Sequence, residues 1–159
     1  MNLIDIVQQK FPDLVILSHD QCGDQTVVIR KDGVATLAKY LKYDPALDFN
    51  VLMDLTAVDY LAMKQSPRFE VVYHFYSLKY NHRLRVKVPV EEKEPEVDTL
   101  TGLWPVANWF EREVWDMFGI RFKGHPNLKR LLMYEEFIGH PLRKDYRHNK
   151  RQPLVGPTN

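Results

Sequence analysis

The chain has 159 residues, which suits one domain with one core, because domains usually contain roughly 100–200 residues. Its composition of 45% hydrophobic, 12% aromatic and 27% charged residues excludes a chain that is disordered throughout. A formal net charge of +1 shows no overall preference for nucleic acid or an acidic membrane surface. The single cysteine excludes an internal disulfide and any zinc or iron–sulfur site built on several thiolates.

The N-terminal part of the sequence predicts helices that alternate with short strands. Asn2 is a good N-cap for a run of apolar residues at helical spacing, and Pro12 ends that run. The predicted elements are a helix at 3–11, strands at 14–17 and 26–30, and a helix that ends near Asp44.

The middle of the sequence carries the clearest strand pattern. Residues 83–88 alternate between basic and apolar side chains, which is typical of a strand with one buried face. Aromatic and β-branched residues dominate 69–78, and 49–60 is strongly apolar, so both predict strands. We therefore expect an α+β fold, with helices packed on one face of a mixed, largely antiparallel sheet. A single domain over residues 1–147 would be followed by an extended C-terminal tail at 148–159.

A third helix is predicted at 105–118, where Pro105 suits the first turn and Gly119 suits the position just past the end. Apolar residues lie on almost every side of this helix, which predicts burial in a core or under a partner. The helix also carries four charged residues, Glu111, Arg112, Glu113 and Asp116.

These four charges need committed partners if the helix is buried. Glu111 and Glu113 point to different helix faces, so they cannot form a shared acid–base pair. Arg112 and Asp116 are four residues apart and can pair, although in the order that opposes the helix dipole. An internal ion network and a contact between subunits both remain open.

Charge is distributed unevenly along the chain. Residues 121–159 contain nine Lys or Arg and three Asp or Glu, a net charge of +6, so the remainder carries −5. This pattern fits a solvated basic end, and it also fits a surface that orients the protein between partners. The aromatic residues near the basic end are too few for a nucleic-acid stacking platform.

His125 and His140 each occur in a Gly-His-Pro triplet, with Pro126 in the first of them. A proline after histidine favours extended backbone, so each triplet predicts a rigid turn. An independent His/carboxylate metalloenzyme is the weaker alternative, because no further ligand spacing supports a metal site. The sequence also lacks phosphate-loop and nucleophile-elbow motifs.

No uncharged run in the domain reaches the roughly 18–20 apolar residues that a membrane-spanning helix needs. The N-terminus has no basic region before its apolar residues and carries Asp5, which disfavours a secretory signal. We expect a cytosolic chain or one held in place by a partner.

A long motif resembles a known family. Residues 109–126, together with 139–146, are similar to the signature of the C subunit, the 30 kDa-type subunit of respiratory complex I, the proton-translocating NADH:quinone oxidoreductase. The likeness extends upstream to 55–59 and 68–73 and covers most of the chain after about residue 49.

This resemblance implies a cofactor-free scaffold of the peripheral arm, with no catalytic, cofactor-binding or metal residues of its own. Its partners would be the D subunit, which holds the quinone site, and the iron–sulfur I and B subunits, with no nucleic acid. Partner subunits would carry the iron–sulfur clusters, FMN and the quinone site. The complex would hold the chain as a peripheral protein on the cytoplasmic face of the bacterial inner membrane. A related membrane-bound hydrogenase-type complex is the alternative setting.

The resemblance also assigns a set of residues to a structural signature or a partner interface. They are Glu111, Arg112, Glu113, Asp116, His125, Pro126, His140, Arg143, Lys144 and Asp145. Residues 140–159 are expected to lie extended over a partner, with Arg143, Lys144 and Arg147 facing acidic groups.

Overall fold

A computed structural model describes residues 2–63 and 66–153. Ten helices and strands of this part of the chain position the site. In chain order they are α1 Leu3–Lys10, β1 Val15–His19, β2 Thr26–Ile29, α2 Val34–Tyr43, β3 Val51–Asp59, β4 Phe69–Ser77, β5 His82–Val90, β6 Glu96–Asp98, α3 Ala107–Phe118 and β7 Arg121–Lys123. The predicted α+β class is confirmed.

Five of the strands form one mixed sheet in the order β1-β2-β5-β4-β3. Its neighbours are antiparallel except for β2 and β5, which are parallel. A second, two-stranded sheet pairs β6 with β7 in parallel. The sequence analysis did not predict this pair, because three residues are too few to display an alternating pattern.

Helices cover one face of the large sheet. Side chains from all three helices share a buried cluster with the inward residues of β4 and β5, as shown by Leu3, Leu37, Val114, Tyr73 and Val86. The predicted alternation in β5 is confirmed, since its apolar residues are buried and its basic residues are exposed or half-buried. The opposite face of the sheet therefore carries the charged residues of β5.

Two predicted helix boundaries have a clear local cause. The Asn2 side chain accepts hydrogen bonds from the backbone N–H groups of Ile4 and Asp5, at 3.2 and 3.4 Å, as expected of an N-cap. Gly119 adopts a left-handed φ of +76° just after α3. A Cβ at this position would lie 2.6 Å from the His140 ring, so both the conformation and the space favour glycine.

Of the two predicted kinds of burial for α3, the core of this chain covers only one face of the helix. Trp109 is 60% exposed, and Val106, in the turn before the helix, is 43% exposed. These side chains point away from the sheet, and the Arg112 guanidinium lies 5.4 Å from the centre of the Trp109 ring. The helix has a buried face and a partly apolar outer face. No helix in the described ranges is both long and apolar enough to cross a membrane.

Candidate structural and partner-binding site

Asp116 organises the segment that follows α3 and β7. Its side chain is fully buried, and one carboxylate oxygen accepts the backbone N–H groups of Leu131, Leu132 and Met133 at 2.8–3.0 Å. The other oxygen accepts Arg130 Nη1 at 2.5 Å. Burial by itself would raise the pKa of Asp116, but these hydrogen bonds lower the pKa below its ordinary value. A charged aspartate therefore holds residues 130–133 against the helix.

Arg112 and Asp116, whose spacing would allow a pair, do not bind each other. Arg112 donates instead to the carbonyl oxygens of Lys129 and Arg130, at 3.1 and 3.0 Å. The reason is geometric, because Arg130 reaches the buried carboxylate while Arg112 lies further out on the helix. Both side chains still bind the same segment, so Arg112 and Asp116 fasten it from two sides.

Glu111 lies one turn earlier on α3 and is also fully buried. Its carboxyl oxygens accept the Leu100 backbone N–H at 2.7 Å and the Thr99 hydroxyl at 2.5 Å. Among the described residues it has no ion-pair partner, and burial raises the pKa of Glu111 to about 7 despite these hydrogen bonds. Glu113 is exposed, which confirms that the two glutamates lie on different faces.

A second cluster surrounds Arg68, whose side chain is buried together with that of Asp59, whereas Glu92 and Asp145 are about half exposed. Arg68 donates twice to Asp59, at 2.9 and 2.7 Å, and twice to Asp145, at 2.8 and 3.2 Å. It also pairs with Glu92 at 2.5 Å, and Asp59 accepts the backbone N–H of Lys144 at 2.8 Å. Sequence analysis missed Asp59 and Arg68 as a pair, although both lie in stretches that carry the family resemblance.

The pKa values in this cluster follow from the same contacts. Burial would raise the pKa of Asp59, but the Arg68 guanidinium and two backbone N–H groups lower it to about 2. The hydrogen bonds from Arg68 also lower the pKa of Asp145. At neutral pH the cluster is therefore an ionised clamp that joins the sheet to residues 144 and 145.

Between these two clusters the chain follows the end of α3. The last carbonyls of a helix lack intrahelical partners, and three of them are bound here. The contacts are His140 Nδ1 with Asp116 O at 3.0 Å, Leu142 N with Met117 O at 3.1 Å, and Arg143 Nε with Phe118 O at 2.5 Å. Arg143 is half-buried and lies 5.2 Å from the centre of the Phe69 ring, so the structure places it in an internal contact.

The two predicted histidines are not brought together. The His125 imidazole contacts the Asn108 carbonyl at 3.1 Å and accepts the Asn127 N–H at 3.0 Å, beside exposed Pro126. His140 contacts the other end of the helix, eight residues later, which is about 12 Å along the axis. Both rings bind backbone groups, and no cluster of three or more potential metal ligands occurs in residues 2–63 and 66–153.

We call residues 129–145, which these contacts hold in place, the clamped segment. Several of its apolar side chains are exposed. Leu132, Ile138 and Leu142 are 57%, 68% and 51% exposed, and we refer to them as the apolar set. Sequence analysis did not identify them, because residues 124–146 have no helical or strand period that marks an apolar face. Lys144 and Arg147 are also exposed.

The chain turns repeatedly between His140 and Lys150. The predicted tail continues into residues 154–159, which lie outside the described residues.

Comparison with known proteins identifies the chain's relatives. The family described as "Respiratory-chain NADH dehydrogenase, 30 Kd subunit" matches residues 27–152. The C subunit of NADH-quinone oxidoreductase from Geotalea uraniireducens (strain Rf4) is 46% identical over 151 residues, which cover 95% of this chain and 86% of that protein. The subunit of the same name from Roseiflexus sp. (strain RS-1) is 48% identical over 143 residues, which cover 90% and 81%.

Two solved structures are similar in fold. A trypsin-resistant fragment of Nqo5, residues 1–134, superposes with a TM-score of 0.71 and 34% identity, covering 80% of this chain and all of the fragment. A chain of the membrane-bound sulfane sulfur reductase, an archaeal respiratory membrane complex, gives a TM-score of 0.74 with 20% identity, covering 92% of this chain and 85% of the other. The second likeness shows a shared fold alone. By the family match and the identities with the two bacterial subunits, the chain belongs to the respiratory-chain NADH dehydrogenase 30 kDa subunit family.

Proposed function

We propose that this chain is a cofactor-free scaffold subunit of the peripheral arm of an NADH:quinone oxidoreductase, beside the subunit that binds quinone. Electrons would pass through iron–sulfur clusters and FMN in neighbouring subunits. The observation that carries the proposal is the clamped segment 129–145, which internal charges hold in place while the apolar set stays exposed. The choice of NADH:quinone oxidoreductase as the complex rests on the names of the similar subunits.

A rigidly held apolar surface is suited to binding another protein. Covering exposed apolar side chains with a partner removes them from water, which is favourable. A backbone that is already fixed loses little further conformational entropy on binding. Asp116 and Asp59 fix that backbone by accepting five hydrogen bonds. The donors are the N–H groups of Leu131, Leu132, Met133 and Lys144 and the Arg130 guanidinium. The buried charges would therefore serve assembly indirectly, by presenting the apolar set.

Charge also favours a protein partner at this end of the chain. Lys144, Arg147, Lys150 and Arg151 are exposed, and none of them forms a salt bridge within the described part of the chain. Such residues favour an acidic neighbouring surface and would orient the chain during association. Contact with partners, rather than a span of its own, would hold the chain at the cytoplasmic face of the membrane.

The test is affinity purification of the tagged chain from its native membranes in mild detergent, with an NADH:quinone assay on the eluate. We expect iron–sulfur and quinone-site subunits and activity to co-purify with the unaltered chain. The Ile138→Asp/Leu142→Asp variant should lose most of both, because it places charge on the apolar set. Tyr43→Asp, at a 66% exposed position on α2, is the matched control and should retain both.

A purified chain that is alone and monodisperse would contradict the proposal. So would full activity with Ile138→Asp/Leu142→Asp present in the complex. If membrane subunits co-purify but the eluate does not reduce quinone with NADH, the result would favour the related hydrogenase-type complex instead.

A further inference from the structure

The face of the large sheet opposite the helices carries an ordered row of polar side chains. The strand register places Thr26 beside Arg85, Arg85 beside His74, and His74 beside Asp54. The row therefore crosses four strands, from β2 through β5 and β4 to β3. Neighbouring strands are about 4.8 Å apart, so the row is about 14 Å long.

Three members of the row, Arg85, His74 and Asp54, line a trough with a volume of about 900 Å³. The other lining residues come from the 23–25 loop, from residues 80–84 at the β4–β5 turn and the start of β5, and from Met53 and Phe75. Met53 and Tyr80 are 48% and 42% exposed, so the rim is partly apolar. We call this feature the open-face trough.

The charges in the trough do not all cancel within the chain. Arg85 is neutralised by Asp24, at 2.6 Å, and also donates to the Thr26 hydroxyl at 3.4 Å. Arg83 is exposed, and its guanidinium lies 5.3 Å from the centre of the Tyr76 ring. No carboxylate within the described ranges pairs with Arg83. A guanidinium stacked on an aromatic ring is held in place to bind a carboxylate.

The open-face trough is remote from the apolar set. It lies on the opposite face of the sheet from α3, and Asp54 is five residues along β3 from Asp59, about 17 Å away. The trough and the apolar set are therefore two separate surfaces of the chain.

We propose that the open-face trough is a second docking site, which takes a segment of another subunit that carries a carboxylate next to an apolar side chain. The carboxylate binds Arg83, and the apolar side chain packs on Met53 and Tyr80. Methionine, tyrosine and arginine are residue types enriched in interface cores. The inference rests on the proposed function in one respect, namely that the chain works in an assembly, and it makes the chain a bridge held from two sides.

The test places a benzophenone-bearing photo-crosslinking residue at Met53 in the tagged chain of the assembled complex. We expect irradiation to give a cross-link to one other subunit, in a peptide that contains Asp or Glu. Arg83→Glu should lower the yield of that cross-link at least about tenfold, because it places like charges together. Lys39→Glu reverses an exposed cation on α2 and is the matched control, which should leave the yield unchanged.

A second photo-crosslinking position, Leu132, separates the two proposals. Cross-links from Leu132 together with none from Met53 would overturn the docking site and leave the scaffold function standing. A Met53 cross-link to lipid, or to a second copy of this chain, would also overturn it, as would a yield that Arg83→Glu does not change. If the unaltered chain co-purifies with no other protein of the complex, both proposals fail.

Discussion

The two buried carboxylates of α3 are alike in burial, but their pKa values are shifted in opposite directions. Glu111 accepts two hydrogen bonds from the loop just before the helix, without a cation, and burial raises its pKa to about 7. Asp116 accepts three backbone N–H groups and Arg130, and its pKa is lowered. Burial penalises the charged form at both positions, so the number of donors and the presence of a cation decide the outcome.

The two carboxyl groups therefore hold two different segments against the same helix, each by a different kind of contact. The Glu111 end fixes a loop that is close in sequence, with a carboxyl group that is partly protonated near neutral pH. The Asp116 end fixes a segment that is not regular secondary structure and must be held by charge. The Arg68 cluster extends that second kind of contact to residue 145. Four substitutions test whether the two ends differ in this way.

The largest effect is expected for Asp116→Ala. The variant leaves Arg130 and three backbone N–H groups without their acceptor, and we expect a loss of about 3–5 kcal/mol in the free energy of unfolding. Denaturant-induced unfolding measures this loss. Glu113→Ala, an exposed change on the same helix, should stay within about 0.5 kcal/mol. Similar unfolding midpoints for the two variants would show that the clamp contributes little.

Arg68→Ala should cost about 3 kcal/mol, since it leaves the Asp59 carboxylate buried with only backbone donors. Proteolysis between residues 140 and 147 should also become faster, because the variant releases Asp145 from the sheet. Limited proteolysis followed by mass spectrometry measures this. Arg30→Ala, which removes an exposed ion pair with Asp32, is the control and should leave the cleavage rate unchanged. Equal cleavage of both variants would contradict the clamp.

Glu111→Gln tests the other end through pH. Because the folded pKa of Glu111 is raised to about 7 from 4.5, its proton stabilises the fold below pH 4.5, and that contribution is lost as the pH rises to about 7. A shift of this size corresponds to up to about 3 kcal/mol. The glutamine variant should therefore lose less stability than the original chain between pH 4.5 and 7, measured by denaturation at each pH. Parallel curves would show that Glu111 is charged in the fold.

The smallest effect is expected for Arg130→Lys. Arg130 donates to Asp116 and also to the carbonyl oxygens of Phe137 and Gly139, at 2.6 and 3.1 Å. A lysine keeps the charge but cannot span all three acceptors, so we expect a loss of about 1 kcal/mol. The same unfolding assay measures it, and a loss as large as that of Asp116→Ala would mean that the carbonyl contacts dominate.

The sequence alone determined the elements whose signals are local. Alternation marked both faces of β5, Asn2 and Gly119 marked helix ends, and spacing placed Glu111 and Glu113 on different faces. The long motif also identified the family. These signals depend on backbone geometry within a few residues, where one conformation fixes which side chains share a face.

Only the tertiary structure decided which charges meet. Spacing offered Arg112 as the partner of Asp116, whereas the fold brings in Arg130, fourteen residues away. Arg68 and Asp145 are separated by 77 positions, and Asp59 and Lys144 by 85. Such contacts form when several strands and a helix pack together, because burial makes an unpaired charge costly and selects whichever partner the packing brings within reach.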